Sequence, residues 1–125
     1  MKEIALVAAG GAIGASLRHL AGAAMLRIAG MSFPWGTLTV NIVGSFVMGV
    51  FIELLVRRFG TSNELRLFVA TGVLGGFTTF SAFSLDVAVL WERGASGHAV
   101  AYVAASVIGA IAALFAGLWL IRAVA

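Results

Sequence analysis

Thr71-Gly72-Val73-Leu74-Gly75-Gly76-Phe77-Thr78-Thr79-Phe80-Ser81-Ala82-Phe83-Ser84 carries no charge, three glycines and a run of hydroxyl side chains. It lies inside a longer uncharged run, residues 67–85, that continues past Asp86 to Leu90. A continuous helix over 65–90 would be about 39 Å long at about 1.5 Å per residue. The hydrocarbon core of a bilayer is only about 30 Å thick, so such a helix must tilt or break. Gly75-Gly76 predicts a break, because glycine weakens helices and tolerates unusual dihedrals. Unwound backbone at membrane depth is tolerated only where it is buried in protein or faces water. Its freed carbonyls are a natural cation site, as in transporters built on discontinuous helices. Beyond the break, Phe80 and Phe83 are three apart and share a face. Aromatic rings present positive edges, so these two can meet an anion; rings facing lipid are the competing reading.

The rest of the chain supports the membrane setting. Its 125 residues are 62% hydrophobic and 10% charged, against roughly 45–50% and about 25% in ordinary soluble domains. A chain this short has too little interior to hide so much apolar surface, and its mean hydropathy is +1.10. A soluble enzyme, a disordered tail and a DNA-binding module are excluded. The net charge of +3 comes from scattered residues, which gives no nucleic-acid footprint. Cysteine is absent, so disulfides, thiolate metal sites and cysteine nucleophiles are excluded.

Three further runs reach spanning length. Residues 99–121 are uncharged, 37–52 extend through Glu53 to Val56, and 4–17 become long enough only by passing Arg18 towards Met25. The reading is an all-α integral membrane protein with four transmembrane helices, the third broken, in one domain over 1–125. Connections are expected at 27–35, 57–64 and 92–98. Four spans put both termini on one side, with Lys2, Arg57, Arg58, Arg66 and Arg122; Arg27 and Arg93 fall opposite. The positive-inside rule then mildly favours cytoplasmic termini, and the imbalance is small enough for insertion both ways. Trp35, Trp91 and Trp119 fall near span ends, where interfacial anchors belong.

Small residues four apart let membrane helices approach closely. Gly10 and Gly14, Ser45 and Gly49, and Ala105, Gly109, Ala113 and Gly117 all have that spacing; packing within one bundle and a subunit interface are equally open. Asn41, in the second span, is costly in hydrocarbon unless hydrogen-bonded, and reads either as interhelical glue or as an NH2 donor to an anion. Thr37, Thr39 and Ser45 are weaker, since hydroxyls often bond back to their own helix. Arg18 must snorkel, find a partner or line water, and could be a fixed positive charge at a vestibule. Glu53, Asp86 and Glu92 fall near span ends, where solvation is expected. The lack of a mid-depth carboxylate argues against a proton-coupled antiporter.

Gly75-Gly76-Phe77-Thr78-Thr79-Phe80-Ser81-Ala82-Phe83-Ser84 resembles the hallmark of the Fluc (CrcB) fluoride channels. Trp35-Gly36-Thr37-Leu38-Thr39-Val40-Asn41-Ile42-Val43-Gly44 looks like their other signature, and Gly11-Ala12-Ile13-Gly14-Ala15-Ser16-Leu17-Arg18 resembles their first helix. The resemblance implies an antiparallel, dual-topology homodimer in the cell (inner) membrane, exporting fluoride passively and conferring fluoride resistance. It implies a structural Na+ at the dimer centre, held by backbone carbonyls matching Gly75 and Thr78 and not transported. Its pore groups would match Asn41, Phe80 and Phe83, with Thr39, Tyr102 and Ser106 along the polar track and Arg18 at the vestibule. Relatives commonly carry further hydroxyls on the fourth helix, where this chain has Ala110 and Ala113, so that helix's share of the track stays open. The partners implied are fluoride, membrane lipid and a second copy, with no nucleic acid. A small multidrug-type antiporter and a structural subunit of a membrane complex are the rivals. The first wants an embedded first-helix glutamate, whereas the acid near this span is the terminal Glu3; the second leaves the glycine, threonine and phenylalanine cluster unexplained.

Overall fold

The computed structural model describes residues 1–60 and 62–124; Thr61, within the connection expected at 57–64, and Ala125 lie outside the described residues. The fold is a bundle of α1 (Lys2–Ala29), α2 (Trp35–Arg58), α3 (residues 63–77), α4 (Phe80–Glu92) and α5 (Ser96–Val124), with no strand among the described residues. Lys2–Ala29, Trp35–Arg58, Asn63–Glu92 and Ser96–Val124 are each long and apolar enough to cross a membrane, so this is a multi-pass membrane protein. The span that needed Arg18 to reach length is one uninterrupted helix of 28 residues. The turns follow local chemistry. Gly30 and Gly94 adopt φ 81° and 83° after α1 and α4, a left-handed conformation that glycine takes without steric cost. Pro34 sits immediately ahead of α2, where its missing N–H costs no helical bond.

The third span departs from a plain helix twice. Ser62 Oγ accepts from the Leu65 N–H at 3.3 Å and starts it, and Arg66–Leu74 then winds as a π-helix. A nine-residue π stretch is unusual, since such turns mostly occur singly and often at functional sites. Gly75–Phe77 returns to α geometry before Thr78 (φ −90°, ψ 158°) and Thr79 (φ −153°, ψ 122°) run extended and Phe80 restarts the helix. The break therefore falls at Thr78-Thr79 rather than at the glycine pair, and Gly75 itself is helical at φ −63°, ψ −38°. The glycines serve packing instead. A Cβ on Gly76 would lie 2.7 Å from the Gly11 carbonyl oxygen, and one on Gly14 would lie 2.8 Å from the Phe77 nitrogen. The β-branched threonines are the residues that prefer extended backbone.

The same test places three more of the glycines. A Cβ on Gly10 would lie 2.9 Å from Gly72 Cα, so α1 lies backbone to backbone on α3. A Cβ on Gly117 would lie 2.8 Å from the Val50 nitrogen and one on Gly49 3.1 Å from the Leu118 nitrogen, so α2 lies equally close on α5. These glycines work inside one bundle, whereas Ala105 faces outward. Leu38, Phe83, Leu90, Ala99 and Tyr102 form the core. It sits towards the end closed by the 30–34 and 93–95 connections, which are tied by Arg93 Nη2 donating to the Ser32 carbonyl at 2.9 Å. At the other end Glu53 pairs with Arg57 at 2.7 Å and Arg122 at 3.1 Å, joining α2 to α5.

Candidate functional site

A broken helix in a low-dielectric interior leaves backbone groups that must find partners. Here α1 and α2 supply them. The Thr79 N–H, which in a continuing helix would close on the Gly75 carbonyl, donates to Asn41 Oδ1 at 2.8 Å, and Asn41 Nδ2 donates to the Thr79 carbonyl at 2.9 Å. Arg18 Nε donates to the Gly76 carbonyl at 3.0 Å. Arg18 thus has a partner instead of snorkelling away. Thr78 Oγ1 and the Thr78 N–H both donate to the Leu74 carbonyl, at 2.9 and 3.0 Å. Thr79 Oγ1 accepts from the Ala82 N–H at 3.1 Å and caps α4.

Next to the break is a cavity of about 320 Å³ whose lining includes Asn41, Ser45, Thr78, Thr79, Phe80, Phe83 and Ser106. Every polar group in that lining is neutral. The Phe80 and Phe83 ring centroids are 5.4 Å apart and tilted by 49°; Phe83 continues to Tyr102 at 5.2 Å. The two phenylalanines differ sharply in setting, since Phe83 is 7% exposed and Phe80 is 76% exposed. Tyr102 is fully buried behind them, and its hydroxyl donates to Asp86 Oδ2 at 2.9 Å. Asp86, expected to be solvated at a span end, is therefore tied into the aromatic wall. Ser106 Oγ is buried with no hydrogen-bond partner among the described residues. Leaving such a group unsatisfied costs roughly 1–3 kcal/mol, which a polar guest in the cavity would recover.

A second cavity, about 550 Å³, lies between α1 and α2 and includes Arg18, His19, Thr37 and Thr79 in its lining. Thr79 borders both chambers. Gly22, Leu26, Gly36 and Thr37 are shared with a third cleft, of about 340 Å³, that reaches Asp86 and Arg93 at the end of the bundle. The order is an end cleft, a chamber with one fixed positive charge, Thr79, and a chamber of neutral donors and ring edges. Fixed positive charge attracts anions, and neutral hydroxyls and aromatic edges can hold an ion without trapping it.

Of the residues singled out in the sequence, Asn41, Phe80, Phe83, Ser106 and Thr78 meet at one cavity, with Tyr102 directly behind Phe83. Arg18 stands on the other side of Thr79. Thr39 is half-buried and lines none of these cavities. On the fourth span the polar groups stop at Ser106 and the lining continues as Val107, Ala110 and Ile111, while Ser45 supplies a hydroxyl from α2. Thr79 and Asp86 were not foreseen. Thr79 sits in the motif itself, and Asp86 lies three residues beyond Phe83, one helical turn along its face.

The chain matches the model of the family described as CrcB-like protein, Camphor Resistance (CrcB), over residues 5–118. A Chelativorans protein is 63% identical over 124 residues, covering 99% of both chains. One from Mesorhizobium japonicum is 64% identical over 122 residues, and one from Agrobacterium fabrum 60% over 122, each covering 98% of both chains. All three relatives carry the name fluoride-specific ion channel FluC.

Proposed function

The chain belongs to the CrcB-like family, and on that premise we propose that it is a fluoride-selective channel through which the anion leaves the cytoplasm passively, carrying its charge. The observation that carries this reading is the neutral chamber in which the partnerless Ser106 hydroxyl, Asn41 and the Phe80 and Phe83 rings converge. Fluoride holds its water tightly, so a selective path must offer donors in place of that shell. Hydroxyls, an amide and ring edges do this with no full charge to trap the ion. Asn41 spends one amide hydrogen on Thr79 and has a second for the anion. Arg18 raises the local anion concentration at the vestibule. The physiological role is fluoride resistance: hydrogen fluoride crosses the membrane neutral, dissociates inside, and leaves as the anion.

The assembly is an antiparallel homodimer in the inner membrane. Phe80 is 76% exposed at an open side of the chamber, beside the exposed lining residues Val107 and Ile111. That opening supports a second, inverted copy that completes the path, although the charge count is less even than ideal dual topology suggests. A two-fold axis in the membrane plane would bring the breaks of both subunits together. The residues fit a structural sodium ion there. The amide that would close on the Gly75 carbonyl is diverted to Asn41, and Thr78 runs extended. Carbonyls of Gly75 and Thr78 from both copies would offer neutral oxygens, which suit a monovalent hard cation. Bound there, sodium would supply charge compensation for the converging dipoles and no transport chemistry.

Fluoride efflux from liposomes containing only the purified chain tests the reading, with chloride as the control. Fast fluoride release with negligible chloride release is expected. Equal release of both anions, or fluoride release rigidly coupled to protons, would overturn it.

A further inference from the structure

Thr79 lies between two helices in extended geometry, and one side chain takes both of its backbone groups. Opposed residues in an antiparallel sheet exchange both N–H···O bonds in the same manner. The Asn41 carboxamide thus stands in for a one-residue neighbouring strand. Its orientation is forced, because the Thr79 N–H can only donate and must face Oδ1. We propose that Asn41 is a positioning residue that acts through the Thr79 backbone to keep the third helix from running on.

The mechanism is a competition for one hydrogen bond. Without Asn41, the Thr79 N–H regains a partner by closing on the Gly75 carbonyl, the next bond of the helix, and propagation of an existing helix is easy. That closure consumes a carbonyl facing the break. It also winds residue 79 into the helix, and each residue of an α-helix turns the chain by about 100°. Phe80 and Phe83 would then leave the chamber. Asn41 therefore governs the ring edges and the break carbonyls together, separately from anything its second amide hydrogen donates to an anion.

The test compares the parent with Asn41→Leu, which loses both bonds at similar size, and Asn41→Asp, which keeps the acceptor for the Thr79 N–H. Asn41→Ser, too short to reach both groups, replaces the leucine variant if that fails to assemble. Two readouts are made on the full chain in lipid: the ¹³Cα and ¹³Cβ shifts of Thr79, and the sodium concentration for half-maximal fluoride efflux. The second readout rests on the sodium reading above. Extended shifts are expected in the parent and Asn41→Asp, and helical shifts in Asn41→Leu. Loss of the paired bonds should raise the sodium requirement of the residual flux about tenfold or more. Extended Thr79 shifts and an unchanged sodium requirement in Asn41→Leu, with flux or selectivity lost, would make Asn41 an anion donor only and overturn the proposal. Parent efflux that ignores sodium would remove the sodium reading alone, and the Thr79 shifts would then decide.

Discussion

Gly75 and Gly76 are neighbours, yet alanine at the two positions should have opposite effects. A methyl group on Gly75 meets the Ala70 carbonyl oxygen at 3.5 Å, an ordinary contact. On Gly76 it meets the Gly11 oxygen at 2.7 Å and the Ala15 nitrogen at 3.1 Å, both backbone atoms that cannot swing away. Relief to about 3.4 Å requires α1 to retreat by about 0.7 Å. Overpacking of this kind costs about 1–3 kcal/mol, against about 0.5–1 kcal/mol gained by replacing a helical glycine. The net loss for Gly76→Ala is up to about 2.5 kcal/mol and centres near about 1 kcal/mol, whereas Gly75→Ala should hold or gain stability within the protomer. The retreat of α1 also lengthens the 3.0 Å bond from Arg18 to the Gly76 carbonyl, so flux should fall together with stability. Thermal unfolding in detergent, followed by fluoride efflux on the same preparations, checks both. Equal stabilities for the two variants would refute the close-approach argument, and a destabilised Gly75→Ala beside a parent-like Gly76→Ala would reverse it.

Phe80→Ile and Phe83→Ile should each reduce flux strongly by removing a ring edge. Phe83→Ile should also lower the melting temperature, because Phe83 is packed against Tyr102, while the exposed Phe80 should tolerate the change. Arg18→Gln removes a charged donor from the Gly76 carbonyl, a contact worth about 1.5–3 kcal/mol; a melting temperature equal to the parent's would show that the contact is idle. Thr78→Ala should be mild, costing about 1 kcal/mol, because the Leu74 carbonyl keeps the Thr78 N–H as a partner. A Thr78→Ala channel that no longer responds to sodium would point to the side chain, not the backbone, as the cation contact.

The number and order of the spans were legible because uncharged length is a direct signal in a membrane chain, and Asn41, Phe80 and Phe83 were legible because polar and aromatic residues stand out within it. The position of the break was not. Glycine advertises both flexibility and close approach, and only the proximity of Gly11 shows that Gly76 serves the second purpose. The bonds that stabilise extended backbone at Thr79 come from Asn41, 38 residues away. The partner of Arg18 is 58 residues away. The π stretch of Arg66–Leu74 leaves no periodic mark, since a mostly apolar run fits an i→i+5 ladder as readily as an i→i+4 one. The pairing of Tyr102 with Asp86 crosses between spans, and nothing local distinguishes Asp86 from a solvated terminal carboxylate.

The reversal potential across a bilayer containing only this chain, with a tenfold fluoride gradient and equal chloride on both sides, addresses the central claim most directly. A path of neutral donors that selects fluoride and carries its charge predicts a reversal at the fluoride equilibrium potential. A reversal near zero, or one that follows an imposed chloride gradient instead, would contradict it.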